Sequence, residues 1–129
     1  MLIRFVLREH QQVTEAIENG FLVIIAGSIA ELGSWDILKA PRMTCRAAPC
    51  FEFELLLTGT PEFSFEYKYA LVRSIENSEE CKWEVGDNRR FCGHPSRVEP
   101  VIPIVLADEW RENGKFLISA YSVAVLYLV

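Results

Sequence analysis

The sequence predicts an all-β sandwich. Its apolar segments are short and rich in β-branched and aromatic residues, turn residues punctuate them at close intervals, and one stretch alternates strictly between two faces. Leu2 to Arg8 alternates loosely. Phe21 to Ala26 is a continuous apolar run ended by Gly27-Ser28, and Phe51 to Leu57 begins as Phe-Glu-Phe-Glu before becoming wholly apolar. Each suits a strand with one or both faces buried. Phe63 to Val72 alternates most clearly: Phe63, Phe65, Tyr67 and Tyr69 share one face, and Ser64, Glu66, Lys68 and Ala70 share the other. Lys68 therefore points away from the aromatic side.

Further on, Trp83-Glu84 and Arg89-Arg90-Phe91 flank Val85-Gly86-Asp87-Asn88, whose composition predicts a tight turn or short loop. Val98 to Leu106 reads as a last strand that Pro100 and Pro103 push to a sheet edge or a bulge. His10 to Asn19 carries Val13, Ala16 and Ile17 at helical spacing, with Gly20 as a stop, and is expected to decorate a loop rather than enter the core.

At 129 residues the chain has room for one domain with its own core. A formal charge of -5 and scattered arginines leave no basic footprint for nucleic acid or an anionic membrane. No cationic, then apolar, leader precedes the first strand, so an intracellular, cytoplasmic location with free thiols is expected for Cys45, Cys50, Cys81 and Cys92. Zinc at Cys81, Cys92 and His94 is weighed and set aside, because the spacings fit no tetrahedral pattern; neither metal nor cofactor is expected. A Cys81–Cys92 disulfide across one hairpin is sterically conceivable but needs an oxidising compartment. After Trp110 the chain changes character: Phe116 to Val129 is almost entirely apolar, yet shorter than the ~20 residues of a membrane helix. A docked strand or a cut terminus is the better reading. Membrane contact is not expected, though this tail leaves it open.

Trp35, after the turn-forming Ile29 to Ser34, and Trp83, at the mouth of the polar turn, lie outside any obvious core alternation. Sugar rings expose C–H patches on their faces and hydroxyls at their edges, so flat aromatic platforms with Lys, Asn or Glu alongside form a carbohydrate-binding set. A tryptophan is otherwise more often core or rim packing.

A resemblance decides between these readings. Ala26-Gly27-Ser28 through Glu31-Leu32-Gly33-Ser34-Trp35-Asp36, then Phe65-Glu66-Tyr67-Lys68-Tyr69, then Trp83-Glu84 with Asp87-Asn88-Arg89, and finally Val105 to Trp110, resemble in order and spacing the family 20 starch-binding modules. The resemblance covers residues 1–111 as one starch-binding module and leaves 112–129 as an apolar tail of unknown role. It implies an immunoglobulin-like antiparallel β-sandwich. It also implies non-catalytic binding of α-1,4-glucan (starch, glycogen, maltooligosaccharides), with Trp35 and Trp83 as platforms and Lys68, Glu84 and Asn88 as hydrogen-bonding partners of the sugar. The family's second site uses tyrosines where this chain has residues such as Asn19 and Cys45, and no aromatic lies between Trp35 and Phe51, so one site is expected. Phe51 stands where the family has a core tryptophan.

Three rival readings differ in class. A glycosidase would need two opposed carboxylates, for which Asp36, Glu84 and Asp87 are the candidates, but a sandwich this small offers a shallow groove rather than a closed pocket. A protein-interaction sandwich would use Trp35 and Trp83 as its anchors. A targeting fragment of a larger glucan-metabolism, phosphodiesterase or phosphatase protein would contain the same module, its catalytic domain lying elsewhere.

Overall fold

The computed structural model describes residues 1–47, 50–58, 63–75, 78–93, 103–112 and 123–126. Among the described residues nine strands form two sheets: β1 (Leu2–Leu7), β2 (Leu22–Gly27), β3 (Thr44–Ala47), β4 (Cys50–Leu56), β5 (Phe63–Ile75), β6 (Ser78–Trp83), β7 (Arg89–Gly93), β8 (Ile104–Asp108) and β9 (Val123–Leu126). The first sheet runs β3-β4-β1-β8-β9. In the second, the 13-residue β5 is the spine: β2 lies along one edge, while β6 and β7 share the other. The expected all-β sandwich is observed, with one departure from antiparallel order: β1 and β8 are parallel, Phe5 standing opposite Leu106.

The alternation read in the sequence sorts residues between core and surface. Phe65, Tyr67, Tyr69 and Leu71 turn inward from β5 onto Ile3, Phe5 and Leu7 of β1. The Phe5 ring meets Tyr67 edge-on with centroids 5.0 Å apart, and Phe65 lies 5.3 Å from Phe91. Phe5 of the first sheet thus reaches Tyr67 of the second directly, as apolar faces must when a sandwich buries them, while Phe65 and Phe91 pack within the second sheet. Phe51 is half-buried against this core.

Three sequence expectations change. His10–Asn19 holds a true helix, α1 (Gln11–Glu18), capped by His10 Nδ1, which accepts from Gln12 N at 3.1 Å; its Val13 is buried in the core and Ala16 packs against it. The periodicity was short, but the apolar positions share one face, and that face is covered. β8 is not an edge strand, because Pro103 precedes it rather than interrupting it, and it sits between β1 and β9. Pro100 lies outside the described residues. Cys81 and Cys92 do not face each other across a hairpin: β6 and β7 pair with opposite halves of β5, so Cys81 stands opposite Val72 and Cys92 opposite Ser64. Eight residues of strand, about 26 Å at 3.3 Å each, separate those two positions. All four cysteines are free thiols. In the tail, β9 docks antiparallel on β8, Val123 opposite Ala107, and no described helix is long and apolar enough to cross a membrane.

Candidate glucan-binding site

The outer face of the second sheet carries what β5 alternation sends away from the core. Lys68 pairs with Ala26 of β2, and two residues on, Ala70 pairs with Trp83 at the end of β6. Directly opposite residues share a face, so Trp83 and Lys68 emerge on the same side, one strand apart.

Trp35 reaches this face by a loop. After β2, Ser28 keeps the ladder: its N–H donates to the Glu66 carbonyl at 2.9 Å and its Oγ accepts from Glu66 N at 3.0 Å. Short 3₁₀ turns over Ala30–Trp35 follow, with Leu32 buried beneath them. Gly33, Ser34 and Trp35 then take positive φ of 81°, 49° and 68°. Only glycine fits the first: a Cβ at Gly33 would lie 2.7 Å from Ala40 N. For Trp35 the left-handed conformation costs on the order of 1–2 kcal/mol, which its surroundings must hold in place. They do so through the Ile29 carbonyl, which accepts from Leu32 N and Ser34 N, and through Asp36, whose carboxylate accepts from Leu38 N at 2.9 Å. The left-handed non-glycine pair Ser34-Trp35 is what turns the loop so that Trp35 stands beside Trp83.

Trp35 and Trp83, both half-buried, stand with ring centroids 6.2 Å apart and planes inclined at 62°. With Lys68 and Asn88 they line an open concavity of about 430 Å³. Lys68 Nζ donates to the Gly86 carbonyl at 2.6 Å, which uses one of its three N–H donors. Partial burial holds its pKa below the usual lysine value, the Arg111 charge adding to the effect. Asn88, which is exposed, donates through Nδ2 to Glu66 Oε2 at 3.2 Å, a bond that does not engage its carbonyl oxygen. Glu66 also pairs with Arg90 at 3.1 Å, and hydrogen bonds first from Arg90 and then from Asn88 hold its carboxyl below the ordinary value. The left-handed residue of the 84–88 turn is Gly86 (φ 93°), which leaves Asn88 in ordinary backbone.

Glu84 is the residue the structure moves. Expected to meet sugar hydroxyls, its carboxylate is instead 1% exposed and faces inward. It receives Arg89 in a two-pronged pair, both contacts 2.8 Å, and Arg111 at 3.1 Å. Arg89 also contacts Asp108 at 3.3 Å, and Asp108 accepts from the hydroxyls of Tyr67 at 2.9 Å and Tyr69 at 2.7 Å. Two carboxylates and two guanidiniums make a net-neutral buried cluster, the condition under which charges tolerate burial. Burial alone would lower the Arg89 pKa, but Glu84 and Asp108 outweigh it and hold that guanidinium well above its ordinary value. The reason for the inward turn is parity: Glu84 follows the outward Trp83. Sequence reading missed Arg111 and Asp108. Arg89, two residues before the inward Phe91, was the available signal that a charge enters this core.

Residues 4–99 match the family model described as "Starch binding domain". The chain belongs to that family. Starch-binding domains are non-catalytic binding modules, and this chain covers only the module. A curated relative, Glucoamylase-1 of Arthroderma benhamiae, is 31% identical over 116 residues, covering 84% of this chain and 16% of its own length. Among solved structures, the family 20 carbohydrate-binding module of the maltotetraose-forming amylase from Pseudomonas saccharophila superposes with a TM-score of 0.57 at 16% identity, covering 85% of this chain and all of that one. The glycoside hydrolase family 15 glucoamylase from Hypocrea jecorina gives 0.61 at 21% identity, covering 87% of this chain and 17% of its own. This starch-binding domain thus spans about a sixth of the glucoamylases it resembles.

Proposed function

We propose that this starch-binding domain holds one α-1,4-glucan chain across Trp35 and Trp83, with Lys68 and Asn88 as hydrogen-bonding partners and Glu84 as an internal support. The observation that carries the reading is the inclined pair of tryptophan rings, 62° apart over an open concavity with a lysine and an amide on its walls. An α-1,4-linked glucan curves, so its successive rings do not lie in one plane. Two inclined platforms suit that curvature, whereas a flat β-linked chain favours coplanar ones. The hydroxyl rim of each sugar then finds donors at Lys68 and both a donor and an acceptor at Asn88. The groove is open to water, so each contact gains modestly.

The domain performs no bond cleavage in this reading: Glu84, one of the carboxylates such chemistry would need, is buried and ion-paired to Arg89 and Arg111. Its activity is to place whatever it is joined to on a glucan surface. Calorimetric titration with β-cyclodextrin and maltoheptaose tests the reading. One site is expected, with Kd between roughly 1 μM and 1 mM, and Trp83→Ala is expected to abolish it. Two equivalent sites, or binding that survives Trp83→Ala, would reject the assignment.

A further inference from the structure

We propose that Arg111, twelve positions beyond the last residue matched to the family, is a positioning residue for the glucan site. The inference rests on reading Trp35 and Trp83 as that site. Arg111 holds the 84–88 turn at three points. One guanidinium nitrogen donates both to Glu84 Oε1 at 3.1 Å and to the Asp87 carbonyl at 2.6 Å, and the Arg111 carbonyl accepts from Val85 N at 3.0 Å. Its side chain is only 6% exposed.

The turn so held is the one that presents the polar side of the concavity. Trp83 enters it, Asn88 leaves it, and the Gly86 carbonyl receives Lys68. Without the bond to Asp87, the turn keeps its two strand ends but loses the inward pull at its middle. Gly86, the least constrained residue there, then sets where the Lys68 ammonium rests.

Arg111 is fixed in turn from the far side. Trp110 Nε1 donates to Gln12 Oε1 at 2.9 Å, and His10, whose Nδ1 caps α1, reaches Glu112 through Nε2 at 3.3 Å. Helix α1 and its cap thus brace residues 110–112, and these brace the turn. The bond to the Asp87 carbonyl gives the Arg111 side chain a geometric role besides charge balance, since charge balance with Glu84 needs no bond to Asp87.

The test compares Arg111→Gln, Arg111→Lys, Trp83→Ala and a core control, Leu55→Ala, whose site lies in the other sheet. Melting temperature, β-cyclodextrin Kd at a temperature where each variant is folded, and the amide resonances of Gly86 and Asn88 are measured. Arg111→Gln is expected to weaken binding about tenfold and shift both amides, while Leu55→Ala lowers the melting temperature with Kd unchanged. Arg111→Lys keeps the charge beside Glu84 but replaces the rigid planar guanidinium, one nitrogen of which spans Glu84 and the Asp87 carbonyl, with a flexible ammonium. It recovers melting temperature while binding stays weakened, and it carries the test if Arg111→Gln does not fold. Folded Arg111 variants that bind within twofold of the wild type, while Trp83→Ala abolishes binding, overturn this inference alone. If the wild type does not bind, or Trp83→Ala still binds, the site reading falls and takes this inference with it.

Discussion

Lys68 Nζ and the Gly86 carbonyl are joined by a hydrogen bond of 2.6 Å, so the central strand and the 84–88 turn meet at the rim of the tryptophan concavity. The lysine is at once a tether for the turn and a cation with donors to spare. Lys68→Met is therefore expected to weaken maltoheptaose binding by about 1.5–3 kcal/mol, the range for a bond from a charged donor. Because the sugar carries no charge, that loss should be the same at low and high ionic strength. Titrations at two salt concentrations check both points. Affinity that falls steeply with salt would point to an acidic protein partner instead.

Trp35 separates platform from backbone. Trp35→Ala and Trp35→Gly both delete the ring and should each cost glucan binding about 2 kcal/mol or more, roughly thirty-fold in Kd. The left-handed backbone at φ 68° distinguishes them. Glycine adopts it freely, so Trp35→Gly should be the more stable of the two by about 1 kcal/mol, read as a difference in urea midpoint at equal slope.

Glu84→Ala should behave as a stability mutation. Removing it strands Arg89 and Arg111 in the interior, and breaking one side of a buried ion pair typically costs 3–5 kcal/mol. A fall in melting temperature on the order of 10 °C is the expected result for a domain of this size. A variant that melts like the wild type would return Glu84 to the list of surface contacts.

Glu66 sets a pH limit. Its carboxyl is held below the ordinary value by Arg90 and Asn88. With a lowered folded pKa, its contribution is complete above the ordinary carboxylate range and is lost only as pH falls through the lower, folded value. Maltoheptaose affinity should therefore be flat from neutrality to about pH 5 and decline only below the usual glutamate range near 4.3. Glu66→Gln should flatten the acid limb, which a pH series of titrations reads directly.

The strand pattern was legible because period-two alternation is a local property: Phe65, Tyr67 and Tyr69 announce their face without reference to anything distant. Trp35, Lys68, Trp83 and Asn88 were found as candidates through motif order, and the structure brings all four around one concavity. What the sequence did not disclose depends on pairing across the chain. Glu84 looked like a surface acid because its partners Arg89 and Arg111 lie 5 and 27 residues away. The β8 edge assignment failed for the same reason: a proline one residue before a strand reads like a proline inside it until the register is known.

The parallel pairing of β1 with β8 has a mechanical side. Because the two strands run in the same direction, Ile3 opposite Ile104 through Leu7 opposite Asp108, the start of β1 and the end of β8 lie at opposite ends of their shared ladder. Tension applied between the chain entering β1 and the chain leaving β8 loads every rung of that ladder together, in shear, instead of peeling the rungs one at a time. The evenly spaced bonds of a parallel pair share such a load. Pulled along that line, the sandwich gives way as a unit.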